Sequence, residues 1–430
     1  MVVENISRKM GGESGKSFYY MELLRERNID VWVICHERVR EELSQEFAED
    51  PEQLSKIHFI DDTWYQALVW QIGRKFPYRI HDMIFNQIIH WITQFRAQKL
   101  AKKLVAQHQI DLVFEPAPIT PKGLSFMYNI EVPVVIGPLS GGLNFPPAFQ
   151  YMDSKFSRVS INLSRQLSGI LHRFIPGKLQ ADALIVANTQ TQAALPPGCQ
   201  GKLYSVIEAG VDIKHWSPKQ YDQNPPSQTT RFVYVGRLVD WKGVEFLIAA
   251  FQQVLEQTDA VLELVGDGTL QSQLKQQVQQ LGIQNQVRFH GHQSRSKVSQ
   301  LLNESDVFIM PSLREAGGNA ILEAMATALP VIVANWAGPA TIVDSDCGIL
   351  VDPSSPEQFV AGLAIAMIDL AQNPGRRQQM GEQGRQRVHQ HYFDWNSKCD
   401  RIVEIFSETL GQERHKSLEP TQLQENISAV

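Results

Sequence analysis

Glu315-Ala316-Gly317-Gly318-Asn319-Ala320-Ile321-Leu322-Glu323-Ala324-Met325-Ala326 stands just beyond the apolar run Asp306-Val307-Phe308-Ile309-Met310-Pro311-Ser312. The order predicts a strand, a glycine loop and a helix start, bracketed by two carboxylates. Gly317 and Gly318 allow close approach of backbone to a ligand. The N–H groups of a helix opening at Asn319 and Ala320 offer partial positive charge to an anion such as a diphosphate. Glu315 is then placed to reach a sugar, and Glu323, about a turn into the helix, to accept hydrogen bonds from a ribose. A helix whose acidic residues simply answer its dipole accounts for the same glutamates without a ligand.

A second apolar run, Phe232-Val233-Tyr234-Val235-Gly236, also ends in glycine, and its loop carries Arg237 and Lys242 before Gly243. A departing diphosphate gains negative charge as its bond to the sugar breaks, so fixed cations aimed at it favour the transition state over the ground state. Leu264-Val265-Gly266-Asp267-Gly268 repeats the strand-then-glycine form, with a tight turn as the plain reading. His292, after a strand at 287–291, is a candidate contact to the base, with helix capping as the alternative.

With these pieces in order, the chain resembles the retaining GT-B glycosyltransferases of family 4, also called glycosyl transferases group 1. The likeness rests on Gly236-Arg237-Leu238, Lys242-Gly243, Gly266-Asp267-Gly268, Pro311-Ser312, the pair Glu315 and Glu323, and Val206-Ile207-Glu208-Ala209-Gly210-Val211-Asp212. It is dense over 203–353. It is looser upstream, at Gly11-Gly12-Glu13, Asp111-Leu112-Val113-Phe114-Glu115-Pro116 and Pro133-Val134-Val135-Ile136-Gly137-Pro138. The resemblance implies an α/β fold of two Rossmann-like, doubly wound domains facing each other across a cleft. It also implies transfer of a sugar from a nucleotide diphosphate donor to a saccharide or lipid-linked acceptor with retention, in surface or extracellular polysaccharide synthesis. Arg237, Lys242 and Glu315 would be catalytic, with Gly236, Gly266, Asp267, Gly268, His292, Gly317, Gly318, Asn319, Ala320 and Glu323 on the donor. Gly11, Gly12, Glu13, Glu115, Gly137, Gly141 and Gly142 would approach it from the other side. Many relatives place a histidine after the strand at 133–137, where this chain reads Gly137-Pro138-Leu139-Ser140-Gly141-Gly142, so no nucleophile is assigned. In such enzymes the leaving phosphate helps deprotonate the acceptor. Arg237 and Lys242 would do a metal's electrostatic work, so neither metal nor cofactor is expected.

At 430 residues the chain fits two domains. The expected division is 1–211, a linker at 212–227 rich in proline, 228–390, a helix at 391–411 crossing back to the first domain, and a polar tail at 412–430. Strand and helix patterns alternate from 231 onward, which predicts a parallel sheet with its ligand loops at the carboxyl ends of strands. Only Val2 and Val3 precede the polar Glu4-Asn5, short for a first strand. Domain closure about the linker is expected, because few partners are foreseen to hold it.

With 43% hydrophobic and 20% charged residues the composition is globular. No apolar run is long enough to span a membrane and no signal sequence is evident, which points to the cytosol. Four scattered cysteines exclude a disulfide framework and a zinc site. Residues 1–217 hold 23 Lys and Arg against 22 Asp and Glu, whereas the remainder is net acidic at 17 against 24. Within the first half, Trp64 to Leu104 carries seven basic residues and one acid among eight aromatics. That segment suits peripheral contact with an anionic membrane, or else a helical pair packing its aromatics inward with a solvated basic face. Nucleic acid is not expected, since no recognition motif accompanies the charge. The competing functions are a nucleotide-sugar epimerase of the same fold and a catalytically silent nucleotide-sugar binder. A nicotinamide dehydrogenase lacks its glycine fingerprint here.

Overall fold

The computed structural model describes residues 1–10, 12–76, 81–117, 120–153, 169–219 and 229–418, with side-chain surroundings outside that description at 12, 13, 82, 83 and 412–418. The second half contains a six-stranded sheet. Its strands are β7 (Thr230–Val235), β8 (Ala260–Val265), β9 (Val287–Gly291), β10 (Val307–Met310), β11 (Val331–Ala334) and β12 (Gly348–Val351), ordered β12-β11-β10-β7-β8-β9. Every pairing is parallel. The apolar runs form strands because helices cover both faces, so no polar alternation is needed. Ser294 and Ser355 cap the helices Arg295–Glu304 and Pro356–Gln372 by accepting from Lys297 N and Gln358 N.

The first half holds β1 (Val33–His36), β2 (Ile57–Ile60), β3 (Val113–Glu115), β4 (Val134–Leu139), β5 (Ala183–Val186) and β6 (Lys202–Ser205). β1 pairs with β2, and β3 to β6 form a parallel ladder in sequence order. The short segment at 1–4 joins the two ladders. Val2 N donates to Phe114 O at 2.9 Å and Val3 N to Ile34 O at 3.0 Å, while His36 N donates to Glu4 O at 2.9 Å. A first strand of two valines therefore serves as the middle of the sheet. β6 carries no apolar run, since three of its four residues are exposed, as suits an edge.

Three passages bind the halves together. The helix Trp395–Leu418 packs on Gly12–Glu26, with Trp395 stacked on Tyr19 at 5.0 Å and Arg27 paired to Asp400 at 2.7 Å. Val211 pairs with Asp394. Beyond β4, the 3-10 turn Pro147–Met152 inserts Phe149, fully buried, between Phe246 and Phe359 of the second half, at 5.4 and 5.9 Å. The linker differs from expectation. Its described part is anchored to the second domain, because Trp216 is buried, Arg385 donates to its carbonyl at 3.0 Å, and Lys219 pairs with Asp306 at 2.9 Å. Residues 220–227 lie outside the described residues, as does the tail from 419. No helix among the described residues is long and apolar enough to cross a membrane.

Candidate active site

Strand order reverses between β7 and β10, where the crossovers leave in opposite directions and open a crevice at the carboxyl ends. The loops from these two strands are fastened together. Leu313 N donates to Trp241 O at 2.9 Å, and a Cβ on Gly243 would stand 2.4 Å from Pro311 O, so only glycine fits there, at φ 67°. Lys242 lies between those two contacts and is thereby aimed at Glu315. Its ammonium donates to Glu315 Oε2, while Glu315 Oε1 accepts from Gly318 N at 3.3 Å. Both side chains are mostly covered, at 12% and 18% exposure.

Gly318, at φ 80°, precedes the helix Asn319–Ala326, whose first N–H groups have no acceptor within the helix. Positive charge from Lys242 and from the helix start is thus collected beside one carboxylate. Arg237 is exposed, with its guanidinium 5.5 Å above the Trp241 ring, on the same loop but not joined to the pair. Glu323 sits back along the helix, and burial pushes its carboxyl up to about 7, against a smaller opposing pull from Arg295. A carboxylate so poorly solvated is suited to accepting ligand hydroxyls.

Several other expected residues make close contacts within the protein. A Cβ on Gly266 would stand 1.9 Å from Gly236 O, and one on Gly268 2.3 Å from Leu238 O. These glycines let two loops touch each other. Asp267 turns its carboxylate to Gly268 N at 2.7 Å. His292 is exposed, and among the described residues no hydrogen bond or ion pair joins it to Lys242 or Glu315. Gly137, at φ 118°, would drive a Cβ to 2.4 Å from Ile185 O, and Gly142 to 2.4 Å from the Ala194 Cβ, so internal packing requires both. Gly141 accepts from the Thr191 hydroxyl at 2.9 Å.

Glu115 corrects the expectation that it points into the cleft. It is fully buried and accepts from the Ser125 hydroxyl at 2.5 Å; burial raises its carboxyl, with Lys178 opposing. Gly11 and the side chain of Glu13 lie outside the described residues; Gly12 begins the first helix.

Two residues were not singled out. Glu208, buried, presses Oε1 to within 2.4 Å of where a Gly317 Cβ would stand and lies 3.8 Å from Lys16 Nζ, so it connects the first domain's helix to the glycine loop. Gly338 donates to Glu315 O at 3.0 Å and would place a Cβ 2.2 Å from Ala316 O. Both signals need tertiary contact. The first domain also has a cavity of about 680 Å³ among Glu4, Arg38, Gln66, Trp70, His90 and Trp91.

Two parallel, helix-covered sheets with a crevice at the switch point of the second define the GT-B fold. Residues 218–387 match the family described as glycosyl transferases group 1. An uncharacterized glycosyltransferase of Methanocaldococcus jannaschii, MJ1607, is 30% identical over 175 residues, 40% of this chain and 44% of that protein. A glycogen synthase of Mycobacterium tuberculosis is 28% identical over 254 residues, 58% of each. The chain thus spans about half the length of these curated relatives. A glycosyltransferase structure from Rickettsia africae is similar over 95% of this chain and 97% of that one, at 18% identity and a TM-score of 0.61, which shows the fold.

Proposed function

We propose that this protein transfers a sugar from a nucleoside diphosphate to a saccharide or lipid-linked acceptor with retention of anomeric configuration, as a hexosyltransferase in polysaccharide synthesis. The observation that carries the reading is the meeting of Lys242 and Glu315 beside the open N-terminus of Asn319–Ala326 at the switch point. A diphosphate seated there accepts from the helix amides and draws on Lys242 and Arg237. These positive charges relieve the leaving group without a metal. Glu315, freed from part of its hold on Lys242, faces the sugar, and Glu323 accepts from the ribose.

In the reaction the bond from the anomeric carbon to the phosphate oxygen breaks. A bond to the acceptor oxygen forms on the same face, and the acceptor proton passes to the departing phosphate. The family match over the second domain and its partial likeness to a glycogen synthase support this reading. Calorimetry with UDP, GDP and ADP, followed by product analysis with the corresponding sugars, tests it. Binding of none of the three overturns it, and binding without a glycosidic product leaves the silent-binder reading in its place.

A further inference from the structure

The helix Trp64–Gly73 is inside out. Its buried residues are Gln66 and Gly73, whereas Trp64, Leu68 and Ile72, spaced one turn apart, are 78%, 47% and 43% exposed. Gln66 is drawn inward by its own hydrogen bonds, accepting from Thr63 N at 3.0 Å and donating to Thr93 Oγ1 at 2.9 Å. Gly73 is required because a Cβ there would stand 2.6 Å from the His81 ring. The helix is therefore fixed with Gln66 inward and its apolar stripe outward. A water-facing helix has the opposite arrangement.

The neighbouring helix Gln87–Gln107 continues the pattern. It buries Thr93, Gln94 and Gln98 together with Ala97, Ala101 and Leu104, while Phe95 is 44% exposed. Eight of the fifteen exposed large apolar side chains among the described residues fall between Trp64 and Phe95. A patch of that kind marks a surface that is covered in use. Its charge selects the cover, since Lys99 lies 4.6 Å above the exposed Phe95 ring, and Arg74 stands 4.8 Å above Trp70 on the flank toward the cavity. Cations bordering exposed indole and phenyl rings fit the boundary between phosphate head groups and acyl chains.

We propose that the outer face of this helical pair docks on an anionic lipid bilayer. The cavity of about 680 Å³ lies on the other flank of the same helix, with Gln66, Ala67 and Trp70 in its wall. Docking sets that cavity beside the head-group layer. On the glycosyltransferase reading, this favours an acceptor carried by the membrane; the docking itself does not depend on that reading.

The test is sedimentation of the full chain with vesicles of phosphatidylcholine alone and of phosphatidylcholine mixed with phosphatidylglycerol, each at low and high salt. It compares wild type with a triple variant, Trp64→Ser, Leu68→Ser, Ile72→Ser, whose substitutions are all at exposed positions. Wild type is expected to pellet with the anionic vesicles at low salt, and the variant to bind on the order of tenfold or more weakly. Thermal unfolding of the variant, expected to match wild type, shows that the fold is kept. A wild type that stays in the supernatant overturns the proposal, as does a variant that pellets equally well. A wild-type dimer that the triple variant converts to monomer also overturns it, because a second copy would then be the cover.

Discussion

Glu315 holds the ammonium of Lys242 with one carboxylate oxygen and the amide of Gly318 with the other, so one side chain couples the loop after β7 to the start of the helix after β10. The consequence is that the Lys242 charge is already oriented but partly neutralised. Lys242→Ala and Arg237→Ala are each expected to weaken nucleoside diphosphate binding and to lower turnover by about 10²-fold or more. Glu315→Gln leaves Lys242 freer, so it is expected to spare or strengthen diphosphate binding while lowering turnover. Calorimetry with the diphosphate beside steady-state kinetics checks this. Unchanged affinity in both cation variants removes the assignment.

Glu323 gives a pH signature. Its folded pKa, about 7, is raised above the unfolded carboxylate value of about 4.3, so the folded state holds the proton more tightly. Below about pH 4.3 wild type and Glu323→Gln should be equally stable. As the pH rises toward about 7 the wild type loses stability relative to the variant, by up to about 4 kcal/mol, and the gap stays constant above. The variant is expected to gain stability at pH 8 and to lose donor affinity. Denaturant unfolding at pH 4.5 and 8 decides the first point; equal stability at both would show an ordinary surface carboxylate.

Gly338→Ala has no side chain to lose from the site, yet it should disable it. The new Cβ must displace Ala316 O from 2.2 Å, moving the backbone that carries Glu315. A misplacement of about 1 Å is worth about 10²-fold in rate. Thermal unfolding and kcat/KM measured together should show the activity falling more steeply than the stability.

Phe149→Ala should cost about 3–5 kcal/mol, as for a fully buried aromatic. It also cuts one of the three passages between the halves. Because the described linker is anchored to the second domain, a pivot for closure belongs at 206–211 and the Val211–Asp394 pairing, upstream of Trp216. Small-angle scattering is expected to give a smaller radius of gyration with UDP in wild type, and a larger ligand-free radius in Phe149→Ala. A wild-type radius unchanged at saturating UDP means a preformed cleft.

The sequence by itself determined the parallel sheets and the loops that bear the candidate site, because strands buried on both faces read as continuous apolar runs and their βα turns require glycine. It also determined which charged residues stand at the switch point. It did not reveal that the glycines at 137, 266 and 268 clear a path for neighbouring backbone, or that a Cβ at 236 would meet the Tyr234 hydroxyl, since φ and close approach leave the same residue type. Glu115 looked like a cleft residue because a strand end is open until another loop covers it, and the segment bearing Ser125 does so here. The partnership of Lys242 with Glu315, 73 positions apart, the bridge from Glu208 to the glycine loop, and the inversion of Trp64–Gly73 were decided only by the tertiary structure. Each depends on which surface another element covers, and periodicity along one helix or strand carries no record of that.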